Sequence, residues 1–268
     1  MTHSIGLAAL TVLELTPPEM VSCAADAGYD CVGLRLIPAT PTEIQHAIVG
    51  DTPLLRETLR RIADTGMTVL DVEIFRLQPD TDVSDYRAAL ETAARLGARE
   101  ALVAGNDPDF ARLVERFGAF CELAAQFGIA GNLEPMPWTD VKTFAQGVRV
   151  VQAAGRPNAG VLIDPLHFDR AGCRAEEIAA APSELLRYMQ VCDAPPERPT
   201  DVQTLLFQAR AERLMPGDGG LDLAGMLARV PPDLPLSVEI PMHALAKSMP
   251  ALERARRMLA KTRVLLER

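Results

Sequence analysis

The chain has 268 residues, of which 48% are hydrophobic and only 4% are aromatic. The length fits one large domain over residues 1–268 at least as well as two smaller ones, and the composition predicts a globular chain whose core is filled by aliphatic side chains. The formal net charge of −9 argues against nucleic acid or an anionic membrane surface as a partner, because both attract clustered lysine and arginine.

The first predicted helix is bounded by capping signals. A short apolar run from Ser4 to Leu10 is the first predicted strand, and Thr16 followed by two prolines is typical of a helix N-cap. The helix should run to Ala27, where Gly28 can adopt the left-handed conformation that ends many helices. The apolar stretch after Gly28 is the second predicted strand, so this part of the chain forms a strand, helix, strand unit.

The same alternation continues along the chain. A glycine stands at the predicted end of four further helices, at Gly66, Gly97, Gly128 and Gly155. Strands are predicted near residues 4–10, 31–36, 67–74, 99–104, 129–134, 159–164, 186–192 and 235–240. Eight strands separated by helices imply a parallel sheet with right-handed crossovers, so the predicted fold is α/β, a single (β/α)8 TIM barrel.

The competing architecture is an open doubly wound sheet. Its nucleotide-binding form needs a GxGxxG turn after the first strand, and the corresponding stretch, LTVLELTPPE, has none. A barrel instead builds its site at the carboxyl ends of the strands. A long loop is predicted from Asp193 to Ala211, after the seventh strand, with a helix restarting at Asp222 and Pro250 in the first turn of a terminal helix.

The five cysteines indicate neither a disulfide framework nor a thiolate metal site, because they form an odd set without CxxC spacing. The N-terminal segment has no basic region followed by a long apolar segment, and no run approaches the roughly 18 apolar residues of a membrane span. We therefore expect a cytoplasmic protein with reduced cysteines.

Oxygen-bearing side chains end four consecutive predicted strands. Glu134, Asp164, Gln190 and Glu239 follow strands five to eight and would meet on one half of the barrel rim. Polar residues at strand ends often only face solvent, but three crowded carboxylates repel one another unless a cation neutralises them. Oxygen ligands favour a hard divalent ion, so the pattern predicts a site for Mn²⁺ or Mg²⁺, with Co²⁺ and Zn²⁺ as alternatives.

These motifs resemble the sugar phosphate isomerase/epimerase family, also called the xylose isomerase-like TIM barrels, over almost the whole chain. The resemblance implies a divalent metal held by a Glu, an Asp, a His and a Glu after strands five to eight. The matching positions are Glu134, Asp164, Gln190 and Glu239, so a glutamine replaces the usual histidine, and its carbonyl oxygen can also bind a hard ion. Dimers and tetramers are frequent in such families, which leaves a homo-oligomer open.

Further motifs are similar to the 3-dehydroshikimate dehydratase branch of these proteins, which also uses glutamine as the third ligand. They are Gln190 followed by Asp193-Ala194-Pro195, Glu134 with Trp138, the DxxH of Asp164 and His167, and the PGxGxLDL of Pro216 to Leu223. Related isomerase-like proteins share these motifs, so they do not identify a substrate.

The resemblance implies an isomerase or epimerase of a small polyhydroxylated carbonyl compound, such as a sugar, sugar phosphate or inositol derivative. A base removes the proton next to the carbonyl, and the charge of the metal stabilises the enediolate. Glu134 and Glu239 can pass this proton, and His167 is a third acid or base, because the ordinary histidine pKa of about 6.5 suits proton transfer. Two alternatives stay open: a dehydratase (lyase) of the 3-dehydroshikimate type, and a barrel that only binds a sugar.

Six residues near the same rim are predicted to contact the small-molecule substrate. Arg213 precedes a PGDGG turn, and its guanidinium suits a carboxylate or phosphate, although pairing with Asp218 or Glu212 would explain it equally well. The full set is Trp138, Arg213, Glu73, Arg76, Asn106 and His243.

Overall fold

Eight parallel strands form one curled sheet in the computed structural model, which describes residues 3–267. The strands are Ile5–Leu7 (β1), Cys31–Arg35 (β2), Thr68–Leu77 (β3), Glu100–Gly105 (β4), Ala130–Glu134 (β5), Ala159–Val161 (β6), Met189–Val191 (β7) and Leu236–Val238 (β8). Each strand from β1 to β5 pairs in parallel with the next, β7 pairs with β8, and β1 pairs with β8. A parallel bridge between Ile163 and Met189 joins the β6 side to β7, so the predicted parallel α/β barrel is confirmed.

Helices follow the strands along the chain. They are Pro17–Ala27 (α1), Pro53–Thr65 (α2), Arg87–Leu96 (α3), Phe110–Ala125 (α4), Phe144–Ala154 (α5), Pro165–Arg170 (α6), Glu176–Ala180 (α7), Val202–Ala211 (α8), Leu223–Leu227 (α9), His243–Ala246 (α10) and Ala251–Leu266 (α11). Within residues 3–267, no helix combines the length and the apolar character that crossing a membrane requires.

The caps of α1 agree with the sequence prediction. The backbone N–H of Thr16 donates to Oε2 of Glu19 at 2.8 Å, which satisfies one of the backbone groups that a helix start leaves unpaired. At the other end Gly28 has a φ of 89°, a left-handed conformation that costs glycine little because it has no Cβ. The prediction for α4 was less accurate, because this helix ends at Ala125 and Gly128 lies three residues further on.

Side chains alternate between the two faces of the sheet. On β4, Ala101 and Val103 belong to the large core between the strands and the helices. Leu102 and Ala104 belong to a second, smaller cluster together with Tyr188, as expected for side chains that fill the inside of a barrel. Tyr188 directly precedes β7. Side chains two positions apart on a strand point to the same face, so Gln190 on β7 also points into the barrel.

The segment after β7 differs from the prediction of a loop up to Ala211. Its second half is the helix α8, which begins after Asp201, and Oδ1 of Asp201 accepts the backbone N–H of Thr204 at 2.8 Å. The predicted helix start at Asp222 is confirmed as the N-cap of α9. Pro250 is the residue immediately before α11.

Candidate metal and substrate site

A cavity of about 250 Å³ opens at the carboxyl ends of the strands. Arg35, Glu134 and Glu239, which lie at or just after three strand ends, line it together with Glu73, which lies within β3 opposite Arg35. The helix α8 contributes a further wall through Arg210. The cavity therefore lies where a parallel barrel places its functional site.

Three of the predicted site residues converge at the end of β5 and the start of α6. Glu134 is the last residue of β5, and Asp164 is the N-cap of α6, where its Oδ1 accepts the backbone N–H of His167 at 3.0 Å. Nε2 of His167 lies 3.9 Å from Oε1 of Glu134 and 4.0 Å from Oδ2 of Asp164. One donor atom from each of the three residues lies within 4.8 Å of the other two, which is close enough to share one metal ion.

Arg213 connects two of the predicted metal ligands. Its Nη1 lies 2.5 Å from Oδ2 of Asp164, and its Nη2 lies 2.8 Å from Oε2 of Glu239. The Nε donates to the backbone oxygen of Ala209 at 2.9 Å. Arg213 is thus paired with carboxylates of the site and not with Asp218 or Glu212, although it also lines the cavity, so its contact with a substrate stays a prediction.

Gln190 lies on β7 with its side chain pointing into the barrel. It lies two positions after Tyr188, whose side chain is inside the barrel, and it is buried. Its backbone N–H donates to the backbone oxygen of Ile163 at 2.9 Å. Its Oε1 has no hydrogen-bond partner among residues 3–267. A buried oxygen without a partner costs roughly 1–3 kcal/mol, and a cation bound here would remove that cost.

Burial and mutual repulsion perturb the carboxylates. Burial raises the pKa of Glu134 well above its usual range, and the charges of Glu239 and Asp164 add to this effect. Burial also raises the pKa of Glu239 to about 8, against the opposing influence of Arg213. For Asp164 burial acts in the same direction, but Arg213 and then His167 outweigh it and lower the pKa. Burial, helped by the nearby arginines, lowers the pKa of His167 to about 4, so the ring is neutral near pH ~7.

The donor set fits a divalent cation. Glu134, Asp164 and Glu239 carry three negative charges when ionised, and Arg213 supplies one positive charge. The remaining excess of two negative charges is what a divalent ion neutralises. Carboxylate and amide oxygens are the ligands that hard divalent ions prefer, and the free Oε1 of Gln190 supplies the amide oxygen.

The predicted substrate contacts divide into two groups. Glu73, Arg76, Trp138 and His243 line the cavity, and His243 is exposed at its mouth. Asn106 does not line it. Asn106 instead holds Arg76, because its Oδ1 accepts a hydrogen bond from Nη1 of Arg76 at 3.2 Å.

Three lining residues were not identified from the sequence. Arg35 lies at the end of β2, where its Nη1 and Nη2 pair with Glu43 at 2.6 Å and Glu73 at 3.1 Å. Arg210 lies on α8, in the segment that was predicted to be a loop. In the sequence, only the position of Arg35 at the end of a predicted strand indicates a place on the rim. Glu43 and Arg210 lie in segments that connect strands and carry no motif.

The chain is similar to proteins that are named for enzymatic reactions. The 3-dehydroshikimate dehydratase of Pseudomonas aeruginosa is 29% identical over 238 residues, which cover 81% of this chain but only 34% of the dehydratase. The chain thus spans about a third of that relative's length. The inosose isomerase of Bacillus velezensis is 22% identical over 215 residues, covering 75% of this chain and 74% of the isomerase.

A solved structure and a family model match most of the chain. The solved structure of the IOLI protein with a binding zinc atom superposes with a TM-score of 0.81 at 18% identity and covers 98% of each chain. The model of the xylose isomerase-like TIM barrel family matches residues 21–262, which is most of the chain. The chain therefore belongs to the xylose isomerase-like TIM barrel family.

Proposed function

We propose that this chain is a divalent-metal-dependent enzyme that removes a proton from the carbon next to a carbonyl group in a small polyhydroxylated compound. The observation that carries the proposal is a connected group of buried side chains at one cavity: Glu134, His167 and Glu239 line it, and Asp164 lies close to Glu134 and His167 and is joined to Glu239 through Arg213. Two relatives named for enzymatic reactions, a dehydratase and an isomerase, support an enzyme and not a sugar-binding barrel.

Glu134, Asp164, Gln190 and Glu239 would hold the metal. When bound, it supplies positive charge that keeps the carboxylates ionised and favours negative charge on a substrate oxygen. The zinc-containing neighbour of the same fold supports a divalent ion, and Mn²⁺ and Mg²⁺ are the ions that an all-oxygen set favours.

Glu134 and Glu239 are the groups best placed to move a proton. Both carboxylates face the cavity, and burial raises the pKa of each, that of Glu239 to about 8, which favours uptake of a proton from a substrate. His167 is a third proton carrier: its neutral ring places Nε2 3.9 Å from Oε1 of Glu134. The ring of Trp138 packs edge-on against that of His167 at a centroid distance of 4.8 Å and fixes its orientation.

Loss of water from the substrate is the outcome that this arrangement supports best. A dehydration needs a base for the proton and a separate acid that protonates the leaving hydroxyl. Glu134 and Glu239 both face the cavity and have raised pKa values, so they can divide these two roles, and the neutral His167 lies beside Glu134 as a hydrogen-bonding group. Gln190 and the dehydratase relative also favour this outcome. Isomerisation or epimerisation is the second candidate, because two carboxylates at one cavity are sufficient for it and an inosose isomerase is also a relative.

One experiment tests the proposal and separates the two outcomes. Protein purified without chelator is analysed for Mn, Mg, Co and Zn and assayed with added Mn²⁺ on 3-dehydroshikimate and on an inosose in deuterated water. Dehydration produces a new ultraviolet absorbance from the conjugated acid, whereas isomerisation incorporates deuterium without loss of water. Protein that holds no metal and takes none up would contradict both outcomes.

A matched pair of variants links any activity to the site. Glu239→Gln removes one ligand and proton carrier and should abolish turnover. Glu122→Gln removes an exposed carboxylate on α4 that pairs with Arg156 outside the cavity, so it should leave turnover unchanged.

A further inference from the structure

Two of the four arginines that line the cavity have no acidic partner. Arg35 and Arg213 each pair with two carboxylates. Arg76 and Arg210 line the same cavity, but neither makes a salt bridge within the described range 3–267. The cavity therefore has two arginines that the protein neutralises itself and two that it leaves charged.

Neutral contacts hold the two unpaired guanidiniums in place. Nη1 of Arg76 donates to Oδ1 of Asn106 at 3.2 Å, and the backbone N–H of Arg76 donates to the hydroxyl of Tyr86 at 3.2 Å. The guanidinium carbon of Arg210 lies 5.7 Å from the centre of the Trp138 ring. An amide oxygen and an aromatic face both orient a guanidinium without neutralising it, so donors of both arginines remain for a ligand.

The two arginines also repel each other. Burial lowers the pKa of Arg76, and the neighbouring charge of Arg210 is the next largest cause. Two like charges in a half-buried cavity are unfavourable unless a negative group lies between or beside them. The described residues place no carboxylate within 4 Å of either guanidinium, so that group would have to come from the ligand.

The balance of charge around the cavity leads to the same conclusion. With a divalent ion bound and every carboxylate ionised, five carboxylates, four guanidiniums and the ion sum to one positive charge. The carboxylates are Glu43, Glu73, Glu134, Asp164 and Glu239, and the guanidiniums are Arg35, Arg76, Arg210 and Arg213. One acid group on the substrate would complete the neutralisation.

We propose that Arg76 and Arg210 form an anion subsite for the substrate's own acid group, so that the cavity selects a polyhydroxylated carbonyl compound that carries a carboxylate. The inference rests on the proposed function for the position of the reacting carbonyl, but the subsite itself depends only on the two arginines. A planar guanidinium binds a carboxylate or a phosphate through paired hydrogen bonds, and an anionic oxygen group is the chemistry that the two share. A neutral sugar or inosose would leave both arginines unpaired.

Calorimetric titration of the Mg²⁺-loaded protein tests the subsite without turnover. The probes are shikimate, its uncharged methyl ester and ribose 5-phosphate. Shikimate should bind about 10- to 100-fold more tightly than the ester, which is the factor expected for losing charge-assisted hydrogen bonds. Tighter binding of ribose 5-phosphate than of shikimate would overturn the carboxylate assignment, and equal binding of shikimate and its ester would overturn the subsite.

Variants assign the selectivity to the two arginines. Arg76→Gln and Arg210→Gln should each weaken shikimate binding by about tenfold or more and leave binding of the ester unchanged. Arg149→Gln is the matched control, because the Arg149 guanidinium also lies over an aromatic ring, 5.3 Å from the centre of Phe110, but outside this cavity. Shikimate binding that is unaffected by both Gln variants would refute the proposal.

A further variant keeps the test valid if an arginine substitution disturbs the fold. Asn106→Asp keeps Arg76 and gives it an internal carboxylate partner, so it should weaken shikimate binding selectively. Failure of the proposed function is distinguishable from failure of the subsite. A protein that shows no turnover but still binds shikimate more tightly than its ester would contradict the proposed function and retain the subsite. A protein that turns over neutral substrates only would contradict the subsite.

Discussion

Nη1 of Arg213 lies 2.5 Å from Oδ2 of Asp164, and both side chains are buried. The same guanidinium reaches Glu239, so one arginine joins the residues that follow β6 and β8. Without it, the carboxylates would face one another inside the barrel with no positive charge between them. Arg213 therefore offsets part of this repulsion from within the protein, and the proposed metal ion would supply the charge that remains missing.

Replacing Arg213 should destabilise the protein strongly. Arg213→Met leaves two buried carboxylates without their partner, and breaking a buried ion pair in this way typically costs about 3–5 kcal/mol. The free energy of unfolding, measured in urea on metal-free protein, should fall by that amount. Added Mg²⁺ should recover part of the loss, since a cation can neutralise the same carboxylates.

An exposed ion pair supplies the control for this variant. Arg60 pairs with Glu57 on the surface of α2, and exposed pairs contribute about 0–1 kcal/mol. Arg60→Met should therefore change the free energy of unfolding little. Equal effects of the two substitutions would show that Arg213 does not neutralise the site.

Gln190 should contribute to metal affinity. Gln190→Leu removes the buried Oε1 that has no partner among the described residues, so it should weaken metal binding by about tenfold or more without unfolding the protein. Gln190→His restores the donor that is usual in the family and should keep or raise the affinity. Both effects are measured by calorimetric titration of metal-free protein with Mn²⁺.

Ser237 provides a neighbouring control for Gln190. It lies opposite Gln190 in the register of β7 and β8, and its hydroxyl is also buried without a partner in the part of the chain that is described. Ser237→Ala should leave Mn²⁺ affinity unchanged. A Gln190→Leu protein with the affinity of the wild type would remove Gln190 from the ligand set.

The features that could be predicted from the sequence depend on local patterns. Apolar runs bounded by glycines fix the strand positions, because a left-handed residue such as Gly28 ends a helix whatever its tertiary surroundings. The convergence of Glu134 and Asp164 was also predictable, because parallel strands bring their carboxyl ends to one edge of the barrel.

The roles of the arginines could not be predicted, because they depend on long-range packing. Arg213 reaches Asp164 across 49 positions of sequence, and nothing local distinguishes it from an arginine that pairs with Asp218. Arg210 faces the cavity only because the second half of the segment after β7 forms a helix, and that segment was predicted to be a loop. The positions of these two arginine side chains therefore could not be derived from the sequence alone.

The buried cysteines should react slowly with alkylating agents until the protein unfolds. Burial raises the pKa of Cys23 and Cys31 to about 11 and that of Cys121 to about 12, so near pH ~8 only about 0.1% or less of each thiol is ionised. Raised pKa values contribute stability below the thiol's ordinary pKa, and this contribution is lost as the pH rises through the folded value. Iodoacetamide labelling followed by mass spectrometry measures the rates.

Cys173 is the internal control for this labelling. It is partly exposed, whereas the other four cysteines are buried, so it should be modified first. Cys173→Ser should remove the fast phase and leave the slow phases unchanged. Rapid modification of Cys121 in the native protein would contradict the burial of that thiol.

Metal affinity should rise with pH up to about pH 8. Burial raises the pKa of Glu239 to about 8, so in metal-free protein near pH ~7 this carboxyl is mostly protonated, and a metal ion must displace the proton to use it as a ligand. If one proton is displaced, the association constant for the metal should rise about tenfold per pH unit below the pKa of Glu239. Above that pKa the association constant should level off.

Calorimetry in two buffers of different ionisation enthalpy counts the protons that the metal displaces. Near pH ~7 about one proton per bound Mn²⁺ is expected from Glu239, and more if the raised pKa of Glu134 also leaves that group protonated. In Glu239→Gln the release should fall by about one, because glutamine binds no proton. An Mn²⁺ affinity that stays constant between about pH 6 and 8 would show that Glu239 is not protonated in the metal-free site. It would also contradict the proposal that burial raises the pKa of Glu239 enough for it to carry a proton.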